Sequence, residues 1–145
     1  MDNIYERGDG REGGTMTEIW IPGKPPTATA QQKGRSRTGA WYKPPKLKAA
    51  EDWYLWGLSR YRLPEPLEGA VIFSVEFRFP ATKPHKDGEP KITRPDTDNM
   101  VKLLKDCMTK LGFWLDDAQV AMELVRKSYA AEPGVKIVLG RWGQR

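Results

Sequence analysis

Apolar and polar residues follow regular patterns along most of the chain, and these patterns predict six elements in the order β-α-β-α-β-β. Strands are predicted over 17–22, 70–79, 119–129 and 135–139, and helices over 46–61 and 98–111. The strand at 70–79 has the clearest signal, because Val71, Phe73, Val75, Phe77 and Phe79 alternate with polar or smaller residues. This order predicts an α+β (mixed α/β) fold, in which one small sheet of about four strands carries two main helices.

The two predicted helices show apolar residues at helical spacing. The first has Leu47, Ala50, Tyr54, Leu55 and Leu58, and the second has Leu104, Met108 and Leu111, with Gly112 as its stop. Phe113 and Trp114 follow that stop, and we expect them in the core. Two long polar segments, 23–45 and 81–95, are rich in Pro and Gly and are predicted to be loops. Loops of that length are usually functional or mobile.

Length and composition favour a single domain with a basic surface. The chain has 145 residues, with 24 Lys plus Arg against 19 Asp plus Glu and a formal charge of +5, which favours a polyanionic partner. We expect residues 1–15, which have few apolar side chains, to be a disordered extension, with Met16 as the functional start and 16–145 as a single domain. The single cysteine, Cys107, excludes an intrachain disulfide and fits a reducing cytoplasm. No apolar run reaches the roughly 20 residues of a membrane span.

Four aspartates in two short clusters are the most informative feature of this basic chain. Asp96 and Asp98 flank Thr97 just after Pro95, and Asp116 and Asp117 follow a Gly-Phe-Trp-Leu segment. Oxygen-only clusters suit a hard cation such as Mg²⁺. A structural interpretation stands beside this one, in which the first pair caps a helix and the second forms a polar turn. Two acids exceed what one cap needs, and adjacent residues of an extended chain face opposite ways, so one of the second pair should reach a metal.

Lys102 lies four residues after Asp98 and four before Asp106, so the three share one helix face. Such a series is commonly a solvated ladder of ion pairs. Next to two aspartates, Lys102 is also a candidate for contacting a scissile phosphate.

The motif Pro95-Asp96-Thr97-Asp98-Asn99-x-x-Lys102, followed by Gly112 and then by Asp116-Asp117-x-Gln119, resembles the RusA family of Holliday-junction resolvases. The segment Pro22-Gly23-Lys24-Pro25 with its basic loop resembles that family too, and the likeness runs from Thr17 to about Leu139. The resemblance implies that Asp96, Asp98 and Asp117 hold catalytic Mg²⁺, for which Mn²⁺ can substitute, and that Lys102 is catalytic. Asp116 matches the other acid of its pair and is a further metal candidate. The resemblance also implies paired, symmetrical cutting of four-way DNA junctions in recombination and repair, in the cytoplasm of a bacterial or phage-infected cell.

Basic side chains concentrate in the two long loops, where they are either ordinary solvated charge or phosphate contacts that position DNA. The candidates are Lys24, Lys33, Arg35, Arg37, Lys43, Lys91 and Arg94. Trp41 and Tyr42 either stack on an exposed base or anchor their loop. A four-way junction has near two-fold symmetry, so the resemblance implies a homodimer, for which Trp53 and Trp56 are interface candidates.

Other functions remain open from the sequence. The same site would serve a nuclease for flaps or forks, and the acids would be caps in a non-catalytic protein that binds branched DNA. A hydrolase of small phosphates is disfavoured by the many loop cations. Cys107 is expected to be buried, and His85, in a polar loop, is not a favoured catalytic residue.

Overall fold

A computed structural model of the chain describes residues 16–29, 34–35 and 39–143. Four of its strands belong to one sheet, and two short strands form a separate pair. The elements are β1 (Thr17–Pro22), β2 (Gly34–Arg35), β3 (Trp41–Tyr42), α1 (Pro45–Ser59), β4 (Val71–Pro80), α2 (Thr97–Lys110), a 3-10 turn (Asp117–Gln119), β5 (Val120–Ala130) and β6 (Gly134–Arg141). The predicted α+β architecture of four strands and two helices is confirmed. The short β2–β3 ladder lies within the segment 23–45, which was expected to be a loop throughout.

The main sheet has the order β1-β6-β4-β5. β6 pairs antiparallel with both β1 and β4, whereas β4 and β5 are parallel. A parallel pair needs a crossover, and the connection from β4 to β5 runs through the segment 81–96 and α2. The edge strands are therefore β1 and β5.

Both helices pack on one face of this sheet. The odd-numbered residues of β4 are buried there, as the alternation predicted, and the register places Val75 beside Ile137 and Ile137 beside Ile19. Leu47, Tyr54 and Leu58 of α1 are buried in the same core. Phe113 and Trp114 are also buried, as expected, and the Trp114 ring meets Phe73 edge-to-face at 5.9 Å.

The C-terminus of α2 is closed by a complete Schellman motif. Gly112 has a φ of +76°, which glycine adopts without strain, and it follows the last helical turn as predicted. The Gly112 N–H donates to Thr109 O and the Phe113 N–H donates to Met108 O, both at 3.1 Å. More of α2 is buried than its predicted stripe, since Met100 and Leu103 also face the core, whereas Leu111 is only half-buried. No helix within the described residues has the length and apolar character needed to cross a bilayer.

Two glycines allow close packing of β1 against its neighbours. A Cβ on Gly57, in the last turn of α1, would lie 2.6 Å from Cγ2 of Ile21. A Cβ on Gly134 would lie 2.3 Å from the Trp20 ring and 2.7 Å from the backbone oxygen of Ile21. Glycine at these positions is therefore required by packing, although neither has a positive φ.

We expect Gly134→Ala to lower the free energy of unfolding by about 1–3 kcal/mol, the usual cost of overpacking. Alanine favours an extended chain by roughly 0.5–1 kcal/mol over glycine, which is too little to offset a clash with backbone. Urea unfolding measures the difference. Gly143→Ala is the matched control, because a Cβ there meets no atom within 4 Å. Equal midpoints for the two variants would contradict this account of the packing.

Cys107 is buried, as expected, and its thiol points towards the Glu51 carbonyl at 3.9 Å. Burial, reinforced by the Glu51 charge, raises the pKa of this thiol to about 12. At pH 8 only about one thiol in ten thousand would be the reactive thiolate. We therefore expect Ellman's reagent to leave the native protein unlabelled at pH 8 and to label one thiol per chain in urea. Rapid labelling of native protein would contradict the assigned burial.

Candidate active site

Asp96 and Asp98 lie at the amino end of α2. Asp96 occupies the N-cap position with extended backbone (φ −73°, ψ 146°), yet its side chain makes no capping hydrogen bond. Asp98 lies in the first helical turn, where the helix dipole favours a carboxylate. Both residues are exposed, and within the described residues neither carboxylate is held by a side-chain hydrogen bond or an ion pair. The capping interpretation therefore does not account for Asp96.

Lys102 is exposed one turn after Asp98 on the same helix. Residues at this spacing have Cβ atoms about 5–6 Å apart, so the Lys102 ammonium can reach the space in front of Asp98. Within the described residues, no ion pair joins Lys102 to Asp98 or Asp106. The contacts expected of a ladder of ion pairs along this helix face are therefore not formed. Within the described residues, this helix face therefore carries the unpaired carboxylate of Asp98 and the unpaired ammonium of Lys102.

The second pair of acids divides into one structural and one unengaged carboxylate. Asp116 caps the 3-10 turn, accepting a hydrogen bond from the Ala118 N–H at 2.8 Å. Gln119 completes a capping box by accepting from the Asp116 N–H at 3.1 Å. Asp117, half-buried in the turn, shows no such engagement among the described residues. The polar-turn interpretation thus fits Asp116 and leaves Asp117 available.

Gln119 fixes the position of this turn relative to the sheet. Its side-chain N–H groups donate to the carbonyls of Leu67 (2.8 Å) and Gly69 (3.0 Å), just before β4. The strand had been expected to begin at Gln119, but the capping box keeps this residue in the turn and β5 begins at Val120. The spacing of Asp116 and Gln119 that allows a capping box is visible in the sequence. The bonds from Gln119 to Leu67 and Gly69 are not, so this contact was missed.

Lys127 fixes the other end of the crossover. Its ammonium donates to the carbonyls of Thr93 (2.6 Å) and Pro95 (2.9 Å), which lie three residues and one residue before Asp96. The start of α2 is therefore anchored beside the C-terminal half of β5. Nothing in the sequence distinguishes Lys127 from a solvated strand lysine, so this positioning residue was missed.

The two acidic clusters lie at opposite ends of β5. Lys105, midway along α2, forms an ion pair with Glu123 at 2.8 Å, so α2 runs antiparallel to β5. Asp117 precedes the first residue of β5, whereas Asp96 lies near Lys127. Seven residues separate Val120 from Lys127, which corresponds to about 23 Å of strand. Within the described residues, no three His, Cys, Asp or Glu side chains stand close enough to hold a metal ion.

The loop 81–95 follows the outer edge of β5 and is hydrogen-bonded to it. The Gly88 N–H donates to Tyr129 O and the Tyr129 N–H donates to Glu89 O, each at 2.8 Å. The His85 ring stacks on Tyr129 with centroids 4.5 Å apart, and its Nδ1 is bonded to Glu89. These contacts give His85 a role in stabilising the loop, which is consistent with the expectation that it is not a favoured catalytic residue.

The basic residues considered for DNA binding differ in their exposure and in their contacts. Lys24 and Arg94 are exposed, and Lys43 is bonded to Glu51 at 2.7 Å, a hydrogen bond that raises the pKa of Lys43. Lys91 lies over the Phe79 and Tyr129 rings. Lys33 and Arg37 fall outside the described residues, and for Arg35 and Trp41 only the backbone is described. Tyr42 is half exposed.

The two tryptophans considered for an interface differ in exposure. Trp56 is 70% exposed on α1. Trp53 is not a free surface residue, because its ring would lie 3.7 Å from a Cβ built on Gly23 and packs edge-to-face on Tyr54. The turn at Gly23 covers Trp53, so it contributes to the core rather than to a free surface.

The chain is similar to several known proteins. An uncharacterized protein, YqaN of Bacillus subtilis (strain 168), is 28% identical over 127 residues, covering 79% of this chain and 89% of YqaN. Crossover junction endodeoxyribonuclease RusA of Escherichia coli (strain K12) is 58% identical over 31 residues, which cover 21% of this chain and about a quarter (26%) of that enzyme. RusA of Shigella sonnei (strain Ss046) matches to the same extent.

The family model described as endodeoxyribonuclease RusA matches residues 22–139, which include both helices, all four aspartates and all of β4 and β5. This range is well over half of the 145 residues. The chain therefore belongs to the RusA family of endodeoxyribonucleases.

Proposed function

We propose that this protein is a Mg²⁺-dependent endonuclease that cuts four-way DNA junctions on two strands, acting as a homodimer in the cytoplasm. The observation that carries the proposal is the pair of unengaged carboxylates of Asp96 and Asp98 beside the free Lys102. Because these carboxylates form no bonds within the protein, binding a ligand through them would break no interaction that stabilises the fold. Their position within a RusA domain supports the assignment of branched DNA as the substrate.

The donor set fits a hard cation. Asp96 and Asp98 offer carboxylate oxygens two residues apart, and Asp117 offers a third carboxylate of the same kind. When bound, Mg²⁺ would supply a nucleophilic water at neutral pH and stabilise charge on the phosphate. Asp116 is a less favoured metal ligand, because its Oδ1 accepts the capping bond that holds the turn and only Oδ2 is left open.

The protein's own groups would position and polarise the scissile phosphate. Lys102 would place its ammonium where negative charge develops, and this stabilises the transition state more than the ground state. Lys24 and Arg94, both exposed, would contact flanking phosphates and give the binding its salt dependence. No thiol nucleophile competes with water, since Cys107 is buried and protonated.

A homodimer would complete the acidic site. One chain holds Asp117 at the amino end of β5 and Asp96 and Asp98 at the opposite end, too far apart to share an ion. We propose that each site combines Asp96, Asp98 and Lys102 of one chain with Asp117 of the partner subunit. Two identical sites related by a two-fold axis also suit a junction with near two-fold symmetry.

We expect Asp98→Asn to lower junction cleavage by more than about 100-fold, because even outer-shell groups at metal sites are worth roughly 10–100-fold. Junction binding should be retained or strengthened, since a carboxylate near phosphate repels it in the absence of metal. Cleavage of a labelled four-way junction in Mg²⁺, beside linear duplex and a flap, measures both specificity and loss. Asp52→Asn is the matched control, an exposed aspartate paired with Lys48 on α1.

A wild-type protein that binds the junction tightly but cuts nothing in Mg²⁺ or Mn²⁺ would instead identify a non-catalytic DNA-binding protein. Preferential cutting of the flap would identify a nuclease for other branched structures.

Co-expression of Asp98→Asn with Asp117→Asn tests the shared site. Each variant alone should be inactive. If the sites are shared, a heterodimer keeps one site with all its acids intact, so the mixture should recover about a quarter of the wild-type sites and produce single nicks. If each site belongs to one chain, every site carries a substitution and no activity returns. Recovery is measured by nicking of a supercoiled cruciform plasmid.

A further inference from the structure

We propose that Ile92 is an apolar wedge, a side chain that enters the stack of DNA bases near the scissile phosphate and favours branched over continuous DNA. The inference rests on the proposed nuclease function and identifies a residue that determines its substrate specificity. Its basis is an almost fully exposed aliphatic side chain on an anchored loop, shortly before the acids of α2.

Ile92 projects into solvent near the end of the loop 81–95. It is 91% exposed, more than any other large apolar residue in the part of the chain that the structure describes. A single exposed apolar residue is ordinary on a protein surface. Ile92 differs because the backbone on both sides of it is held by hydrogen bonds, whereas its side chain is not used in the core.

The backbone is held on both sides of Ile92. On one side the Lys91 N–H donates to Lys127 O at 3.2 Å, and on the other the Lys127 ammonium donates to Thr93 O at 2.6 Å. The Lys91 ammonium also donates to Thr93 Oγ1 at 2.6 Å, which closes a bridge across Ile92. Isoleucine is stiff at χ1, so little rotamer freedom is lost on insertion. These contacts give the side chain the fixed base that a wedge needs.

Ile92 lies close to the proposed metal-binding acids. Asp96 follows it by four residues, and even an extended segment of that length spans at most about 14 Å. The segment is not extended, because the carbonyls of Thr93 and Pro95 both accept from the one Lys127 ammonium. Bases follow one another at about 3.4 Å along a strand, so Ile92 would act within a few base steps of a phosphate held at Asp96.

The charges of this loop favour DNA over a protein as the partner of Ile92. Lys83, Lys86 and Arg94 are exposed and form no ion pair among the described residues. The two acids of the loop, Asp87 and Glu89, are instead hydrogen-bonded to other groups of the protein. Lysine is depleted at the centre of protein interfaces, whereas cations beside an inserted side chain would contact phosphates.

An aliphatic wedge distinguishes a junction from linear duplex by the cost of insertion. Isoleucine is among the side chains that enter base steps and kink DNA. Separating stacked base pairs costs free energy in a continuous duplex, but the stack is already interrupted at a branch point. Insertion of Ile92 therefore costs less at a junction, and only the branched substrate gains the full apolar contact.

Fluorescence of 2-aminopurine placed beside the branch point of a four-way junction tests the insertion, because this base analogue brightens when it is unstacked. The measurement uses saturating full-length protein in EDTA, so that no strand is cut. We expect wild type and Ile92→Met, which keeps an apolar side chain, to raise the signal. Ile92→Ala should leave it near that of the free junction. Equal signals from Ile92→Ala and wild type would overturn the proposal.

Affinity gives a second measurement of the same role. We expect Ile92→Ala to lower the ratio of junction affinity to linear-duplex affinity about 10-fold, the order expected for one aliphatic side chain no longer buried. The duplex affinity should not change, and Ile92→Met should keep the wild-type ratio. An unchanged ratio in Ile92→Ala would count against the wedge.

Two controls accompany these variants. The position is exposed, so Ile92→Ala should fold with unchanged circular dichroism. Sedimentation compares the self-association of Ile92→Ala with that of wild type, which we expect to be equal. Weaker self-association of Ile92→Ala would identify Ile92 as a protein-interface residue and reject the proposed DNA contact.

These readouts do not use cleavage, so the two proposals can fail separately. Unstacking by a protein that never cuts a junction would support the wedge and reject the proposed nuclease function. Junction cleavage by wild type, with the same 2-aminopurine signal from Ile92→Ala, would do the reverse. A wild-type protein that does not bind the junction would reject both.

Discussion

The parallel pairing of β4 with β5 is the constraint on which the arrangement of the site depends. A parallel partner cannot be reached by a hairpin, so the chain must return from the end of β4 to the start of β5, and α2 makes that return. Whatever precedes α2 is then placed at one end of the strands, and whatever follows it at the other. Asp96 and Asp98 precede the helix and Asp117 follows it, so the topology itself separates acids that are close in sequence.

The fold was largely predictable because its signals are local. The alternation along β4 and the helical spacing in α1 identified the core side of each element, and Gly112 gave the end of α2. Long-range contacts had no local signal. Lys127 looks like any strand lysine until its bonds to Thr93 and Pro95 are seen, and the covering of Trp53 depends on a turn about thirty residues away.

Candidate acids can be picked out from the sequence, but their layout in the fold cannot. Residue types and spacing identified the acids, but spacing alone could not tell a capping carboxylate from a free one. The structure separates Asp116, whose oxygen is bonded to the Ala118 N–H, from Asp117 beside it. Asp96 also occupies an N-cap position without forming the capping hydrogen bond. The helix therefore lacks the stabilisation that this bond would give, and the Asp96 carboxylate stays exposed.

The loop that covers the end of β5 also protects an edge of the main sheet. By covering residues 127–130, the loop leaves only residues 120–126 of this edge without a backbone partner among the described residues. An open stretch of seven residues corresponds to roughly 20–25 Å. A substitution that detached the loop would expose the backbone groups that it now covers, and a longer open edge is a stronger template for unwanted pairing between strands.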